Sequence, residues 1–142
     1  MKKSVLFVCV HNSARSQMCE AFLKAFAGDK FEVESAGLEP GKLNPIVVES
    51  MKEIGIDISK NKTKSVFDLL KSEKSFHYVI TVCDKSQTER CPVFPSTIER
   101  IHWEFDDPSR FQGTYDEKLA QTRIIRDKIK DTIKDWINKF DM

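Results

Sequence analysis

The sequence lacks the features that would place its 142 residues in a nucleic-acid-binding, membrane or zinc-binding class. Its charges nearly cancel, with 23 Lys and Arg against 22 Asp and Glu, so the composition indicates neither nucleic acid nor a membrane surface as a partner. The apolar run at residues 5–10 is too short for a signal-peptide core or a membrane span. No CxxC pair is present and the three histidines are scattered, so no metal site is predicted.

Four cysteines, Cys9, Cys19, Cys83 and Cys91, are the chemically notable residues of this composition. We expect a cytoplasmic protein, and in that reducing compartment catalytic or redox-active thiols are more common than structural disulfides. The length suits a single domain over residues 1–142, which can bury an adequate core without disulfides. No pattern requires more than a monomer, and no tightly bound cofactor is predicted.

Strand and helix patterns alternate along the chain, which predicts an α/β fold with a parallel sheet covered on both faces. The ligand site of such a sheet lies at the carboxyl ends of its strands, where Cys9 and Cys83 both fall. Strands are predicted at residues 5–8, 31–34, 78–82 and 98–103, and helices at residues 16–26, 45–54, 65–70 and 116–140.

The loop between the first strand and the first helix carries the main candidate site. Five residues separate Cys9 from Arg15, a length that lets successive backbone N–H groups curl inward around a tetrahedral oxyanion. The N-terminus of the following helix and the Arg15 guanidinium add positive charge, which should favour the nucleophilic thiolate of Cys9. The predicted oxyanion-binding residues are Val10, His11, Asn12, Ser13, Ala14, Arg15 and Ser16.

A simpler interpretation is that Cys9 only packs at the end of a strand while Arg15 is solvated. The joint placement of Cys, Asn, Arg and Ser at one strand-to-helix turn disfavours it. Within the site, Ser16 could donate a hydrogen bond to the Cys9 thiolate, and Asn12 could brace the loop.

The loop sequence CVHNSARSQM resembles that of the low-molecular-weight protein tyrosine phosphatases and the thioredoxin-coupled arsenate reductases. The resemblance continues through SAG at residues 35–37, Asn44-Pro45, GIDIS at residues 55–59 and DDP at residues 106–108. It implies a central four-stranded parallel sheet flanked by helices, with Cys9 as nucleophile and Arg15 as anion clamp. It also implies that Asp107, directly before a proline, is the general acid, in preference to Asp106. A plain turn role for Asp107 is the alternative.

The segment TVCDKSQTERCP at residues 81–92 looks like the redox segment of the arsenate reductases in this family. That resemblance implies that Cys83 attacks the Cys9 adduct to form a Cys9–Cys83 disulfide, and that Cys91 then forms a Cys83–Cys91 disulfide that thioredoxin reduces. The spacing of Cys83 and Cys91 is one residue longer than in the best-known reductases. The loop also carries His11 and Ala14, where relatives often have glycine and a further cysteine.

Several alternatives stay open at this point. Cys83 and Cys91 could be ordinary buried residues, as is expected for Cys19 on the apolar stripe of its helix. The main alternative function is a phosphatase that hydrolyses phosphate monoesters through a Cys9 phosphocysteine, and a third is a non-enzymatic oxyanion-binding or redox-sensing protein. Glutathione with glutaredoxin, or mycothiol, could replace thioredoxin as electron donor. Asn12, Glu20 and Ser35 match positions that hold potassium in some relatives, or they could form a bracing hydrogen-bond network.

Overall fold

The computed structural model describes residues 2–140, apart from the side chains of Lys85, Ser86 and Thr88. The outermost residues of the predicted domain, Met1, Asp141 and Met142, lie outside this range. The elements in chain order are β1 (Lys3–Cys9), α1 (Arg15–Ala27), β2 (Phe31–Gly37), α2 (Pro45–Lys52), α3 (Val66–Lys71), β3 (Tyr78–Thr81), a first 3₁₀ helix (Lys85–Arg90), β4 (Glu99–His102), a second 3₁₀ helix (Pro108–Arg110) and α4 (Tyr115–Asn138).

All four strands form one parallel sheet in the order β2-β1-β3-β4. Strand β1 is apolar along its buried length because both of its faces are covered. Val5, Phe7 and Cys9 belong to the core cluster that also contains buried residues of α1 and α4, whereas Leu6 and Val8 belong to a second cluster with residues of α3. The predicted fold class is thus confirmed.

Local sequence signals explain where two of the helices begin. The Asn44 side chain accepts hydrogen bonds from the N–H groups of Ile46 and Val47, and Pro45 occupies the first turn of α2. Helix α4 begins with a capping box between Thr114 and Glu117. Within residues 2–140, no helix is long and apolar enough to cross a membrane.

Strand β1 is longer than predicted at both ends and β4 is one residue shorter at each end, and the carboxyl ends of β2 and β3 also differ from the prediction. Strand β2 continues through Ser35 and Ala36 to Gly37 because β1 pairs with it all the way to Cys9. Strand β3 ends at Thr81, one residue earlier than predicted, although Val82 still donates to the Val8 carbonyl. Cys83 therefore follows the strand by two residues and lies at the carboxyl edge of the sheet.

Candidate active site

The loop from Cys9 to Arg15 has its carbonyl groups engaged on its outer side. The segment after β2 runs alongside and donates to them: Leu38 to Cys9, Glu39 to Val10, Gly41 to His11 and Asn44 to Ser13, at 2.7–3.1 Å. Because each peptide unit is planar and trans, its N–H points opposite to its carbonyl. The engaged carbonyls therefore direct the peptide N–H groups of the loop to its inner side, which is the arrangement of an anion-binding nest.

Asn12 holds the loop in its curled shape. Its backbone adopts a left-handed conformation, with φ of 54°, which asparagine tolerates better than most residues. Its side-chain amide donates to the hydroxyls of Ser16 (2.8 Å) and Ser35 (3.0 Å) and accepts from the Lys64 N–H (2.9 Å). The fully buried Asn12 amide thus links the loop to α1, to β2 and to Lys64, which lies just before α3.

Two donors converge on the Cys9 sulfur. The backbone N–H of Asn12 lies 3.2 Å from Sγ, and the hydroxyl of Ser16 lies 2.9 Å from it. Since the Ser16 oxygen already accepts from the Asn12 amide, its own proton is directed at the sulfur. Both contacts stabilise negative charge on Cys9.

Gly37 sits directly beneath the loop, paired with Cys9 at the end of the sheet. A Cβ on Gly37 would lie 2.8 Å from the Val10 carbonyl oxygen and 2.9 Å from the backbone of both His11 and Asn12. These neighbours are backbone atoms, so the loop itself would have to move to admit a side chain.

We therefore expect Gly37→Ala to weaken phosphate binding about tenfold and to lower the free energy of unfolding by about 1–3 kcal/mol, as overpacking typically does. Isothermal titration with phosphate and urea unfolding measure the two effects. Gly41→Ala is the matched control, because its Cβ would make only an ordinary contact with His11 at 3.5 Å. Equal phosphate affinity in the two variants would show that the loop tolerates the added methyl.

Arg15 points across the loop toward acidic groups from two distant segments. One guanidinium nitrogen donates to the Phe105 carbonyl (3.2 Å) and lies 3.6 Å from Asp84, and the other lies 3.5 Å from Asp107 Oδ2. The second oxygen of Asp107 caps the second 3₁₀ helix by accepting from the Ser109 N–H at 3.0 Å. Asp107 therefore faces the loop, whereas Asp106 is exposed.

The three cysteines of the predicted redox sequence are all buried, but not together. Cys9 and Cys83 belong to the same core cluster, and Cys83 is 1% exposed. Cys91 belongs to the cluster on the other side of the sheet, with Leu6 and Phe94. Burial raises the pKa of the Cys91 thiol to about 11.

Cys91 is buried, with 5% exposure, although the residues directly before it are polar. It shares its cluster with Phe94, which packs edge-on against Phe76. Cys19 is fully buried on α1, and burial raises the pKa of its thiol well above the usual range, as suits a packing residue.

Glu20, Ser35 and Asn12 are joined by hydrogen bonds. Ser35 donates to one Glu20 oxygen at 2.5 Å, and the other oxygen pairs with Lys24 at 2.6 Å. Asn12 turns its NH₂ group, not its oxygen, toward Ser35. The three side chains thus form the bracing hydrogen-bond network that the sequence offered as one alternative. Across the described residues, no cluster of three His, Cys, Asp or Glu side chains could hold a metal.

Sequence reasoning missed Asp84 as part of this site. Its place directly after Cys83 was the available signal, but only the folded chain shows its carboxylate beside Arg15. It also missed Gln17, whose amide donates to the Asn12 carbonyl at 3.0 Å and so holds this part of the loop in place.

Residues 4–142 match the family described as low molecular weight phosphotyrosine protein phosphatase, and the chain belongs to that family. Within it, the chain is 44% identical over 133 residues to an arsenate reductase of Halalkalibacterium halodurans, covering 94% of each protein. A solved arsenate reductase in the phosphate binding state has a TM-score of 0.77 and 30% identity, with 96% of this chain and 98% of that chain covered. A thioredoxin-dependent arsenate reductase of Corynebacterium glutamicum has a TM-score of 0.62 and 30% identity, covering 94% of this chain and 62% of that chain. These similarities confirm the predicted resemblance to arsenate reductases.

Proposed function

We propose that this protein is an arsenate reductase that passes two electrons from thioredoxin to arsenate through Cys9, Cys83 and Cys91. The observation that carries the proposal is the position of Cys83, a buried thiol at the carboxyl edge of the sheet and in the same core cluster as Cys9. A hydrolytic enzyme has no need of a second thiol at that place.

In the first step, the Cys9 thiolate attacks the arsenic atom of arsenate held in the loop. An As–O bond breaks as the S–As bond forms, and the departing oxygen takes a proton from Asp107 and leaves as water. The inward N–H groups of the loop and the Arg15 guanidinium hold the remaining oxygens. Arsenic is still pentavalent in this adduct.

In the second step, the Cys83 thiolate attacks the sulfur of Cys9. The S–As bond breaks and its electron pair stays on arsenic, which is reduced to the trivalent state and leaves as arsenite. A Cys9–Cys83 disulfide forms, and these two sulfurs together have lost the two electrons that arsenic gained.

In the third step, Cys91 attacks Cys83, frees the Cys9 thiolate and forms the Cys83–Cys91 disulfide, which a thioredoxin dithiol then reduces. In the described conformation Cys91 is a protonated, buried thiol with a pKa of about 11. The segment carrying it must therefore open before this step, since the thiolate is the attacking form. The same opening would bring the disulfide to thioredoxin.

We assign thioredoxin as the donor in preference to glutathione or mycothiol. The Cys83–Cys91 disulfide joins two cysteines of the same chain, and a dithiol such as that of thioredoxin reduces a disulfide of this kind. The proposal needs no tightly bound cofactor, and its free thiols require a reducing compartment such as the cytoplasm. One chain holds every residue that the mechanism uses, so a monomer suffices.

Arsenate-dependent oxidation of NADPH, coupled through thioredoxin and its reductase, tests the proposal. We expect Cys83→Ser and Cys91→Ser to lower steady-state turnover to below about 1% of the wild-type rate, while both keep p-nitrophenyl phosphate hydrolysis, which uses only the loop. Without thioredoxin, Cys91→Ser should still release about one arsenite per enzyme and stop at the Cys9–Cys83 disulfide, whereas Cys83→Ser should release none.

Cys19→Ala is the matched control, because it removes a buried thiol that has no part in the three steps. It should keep both activities. Thioredoxin-coupled turnover by either Cys83→Ser or Cys91→Ser would refute the three-thiol sequence.

Phosphatase activity is the second candidate function, and one observation favours it. A surface cleft of about 310 Å³ lies between α2 and the second 3₁₀ helix, beside Asp107, and half-buried Phe111 lines it together with Pro45 and Ile46. An organic group attached to phosphate could occupy this cleft while water hydrolyses the Cys9 phosphocysteine. A p-nitrophenyl phosphate rate that matched or exceeded the arsenate rate would favour this function over the reductase.

A further inference from the structure

The Arg15 guanidinium faces two carboxyl groups and a backbone carbonyl. Asp84 and Asp107 approach its two terminal nitrogens at 3.6 and 3.5 Å, and the Phe105 carbonyl takes a further N–H. These are the same donors that a tetrahedral oxyanion needs. An arriving oxyanion must therefore compete with a carboxylate for the fork of Arg15.

Asp84 is also paired with a second cation, Arg110. Its other oxygen lies 3.1 Å from Arg110, which is 72% exposed and stands on the outer side of the site. The inner contact with Arg15 is the longer of the two, and the outer contact with Arg110 does not depend on it. The Asp84 carboxylate can thus leave Arg15 and stay paired.

Asp84 is also the residue directly after Cys83, so the two backbones cannot move independently. Cys83 is 1% exposed in the described conformation, where Asp84 is held by Arg15. An Asp84 that has swung outward would pull the Cys83 segment away from its packed position.

We propose that Asp84 is a positioning residue that occupies Arg15 in the anion-free protein, and that the bound oxyanion displaces it and so loosens the Cys83 segment for the second step. Coupling of this kind is reciprocal: the factor by which phosphate favours the released position of Asp84 equals the factor by which that release tightens phosphate binding. The segment then opens more readily when the loop is filled, which slows the formation of a Cys9–Cys83 disulfide without turnover.

Asp84→Asn with inorganic phosphate as the probe tests this inference. We expect the Kd for phosphate to fall two- to fivefold, the range of a partly exposed ion pair. In the wild-type protein, saturating phosphate should speed iodoacetamide alkylation of Cys83, followed by mass spectrometry, by a similar factor. In Asp84→Asn, alkylation should be fast without phosphate and unchanged by it.

Glu89→Gln is the matched control, because it removes the same charge from an exposed position of the same segment and Arg15 has no described contact with it. It should leave phosphate affinity unchanged. A purely structural role for Asp84 would speed alkylation without tightening phosphate binding, and that result would overturn the inference. Phosphate that still speeds alkylation in Asp84→Asn would overturn it too.

A double-mutant cycle with Arg110→Gln tests the outward position of Asp84. Alone, this change should weaken phosphate binding, because the displaced carboxylate loses its outer partner. In the Asp84→Asn background the loss should be clearly smaller. An equal loss in both backgrounds would show that Arg110 acts on the anion directly and would refute the outward position.

This inference rests on the proposed oxyanion site but not on arsenate chemistry. If the protein did not turn over arsenate but the phosphate effects were observed, the proposed reductase function would be refuted and the role of Asp84 would stand. Normal arsenate turnover with no effect of Asp84→Asn on phosphate binding would refute only the role of Asp84.

Discussion

Replacing Cys9 with serine should abolish arsenate reduction and p-nitrophenyl phosphate hydrolysis together, each by about 10⁴-fold or more. The serine hydroxyl is a far weaker nucleophile than a thiolate and forms no disulfide. Phosphate should still bind, with a Kd close to that of the wild-type protein. The loop N–H groups and Arg15 hold the anion, and the substitution leaves these donors unchanged. Rates from the two assays and titration with phosphate separate catalysis from binding.

The Cys9→Ser variant also keeps the contacts that shape the loop. A serine oxygen can accept from the Asn12 N–H and the Ser16 hydroxyl, as the sulfur does at 3.2 and 2.9 Å. Cys19→Ala again serves as the control for loss of a buried thiol. If Cys9→Ser lost phosphate binding as well as turnover, Cys9 would be a residue that shapes the loop, and the nucleophile would have to be sought elsewhere.

The elements that could be predicted from sequence are those with strong local signals. A continuous apolar run predicts β1, because a strand buried on both faces needs apolar residues at every position. The pair Asn44-Pro45 predicts where α2 begins. The Asn44 side chain accepts hydrogen bonds from N–H groups of the first turn that have no partner within the helix, and Pro45 has no N–H that would need one. The extension of β2 to Gly37 carries no such signal, because it depends on pairing with β1.

The candidate site likewise has one part that local sequence predicts and another that depends on distant contacts. The loop from Cys9 to Arg15 is a local motif, and its sequence alone predicts the nest and its cation. The direction of Arg15 toward Asp84 and Asp107 joins residues far apart in the chain, so it follows only from the packing of three segments. The burial of Cys91 also depends on distant residues, because the segment before it is polar and its cluster includes Leu6 and Phe76 from other parts of the chain.

The second large effect is expected from removing the proton donor, Asp107. Asp107→Asn should lower kcat for arsenate reduction by about 10²–10³-fold, because the amide cannot protonate the departing oxygen. Asparagine can still accept the hydrogen bond from Ser109 that caps the second 3₁₀ helix, so the fold of this segment should persist. Phosphate should bind more tightly to the variant, since Arg15 has lost one of its carboxylate partners. KM and kcat are thus expected to fall together.

Leaving-group dependence distinguishes proton donation from a charge effect on Arg15. Hydrolysis of phenyl phosphate, whose leaving group needs a proton, should fall much more in Asp107→Asn than hydrolysis of p-nitrophenyl phosphate, whose leaving group is stable as an anion. Asp106→Asn, at the exposed neighbouring position, should change neither rate by more than about threefold, as is usual for a surface substitution. An equal loss for both substrates in Asp107→Asn would mean that Asp107 acts only by orienting Arg15. A large loss in Asp106→Asn alone would move the acid by one residue. The two carboxylates are adjacent in sequence, and it is their burial and their distance from Arg15 that make them unequal.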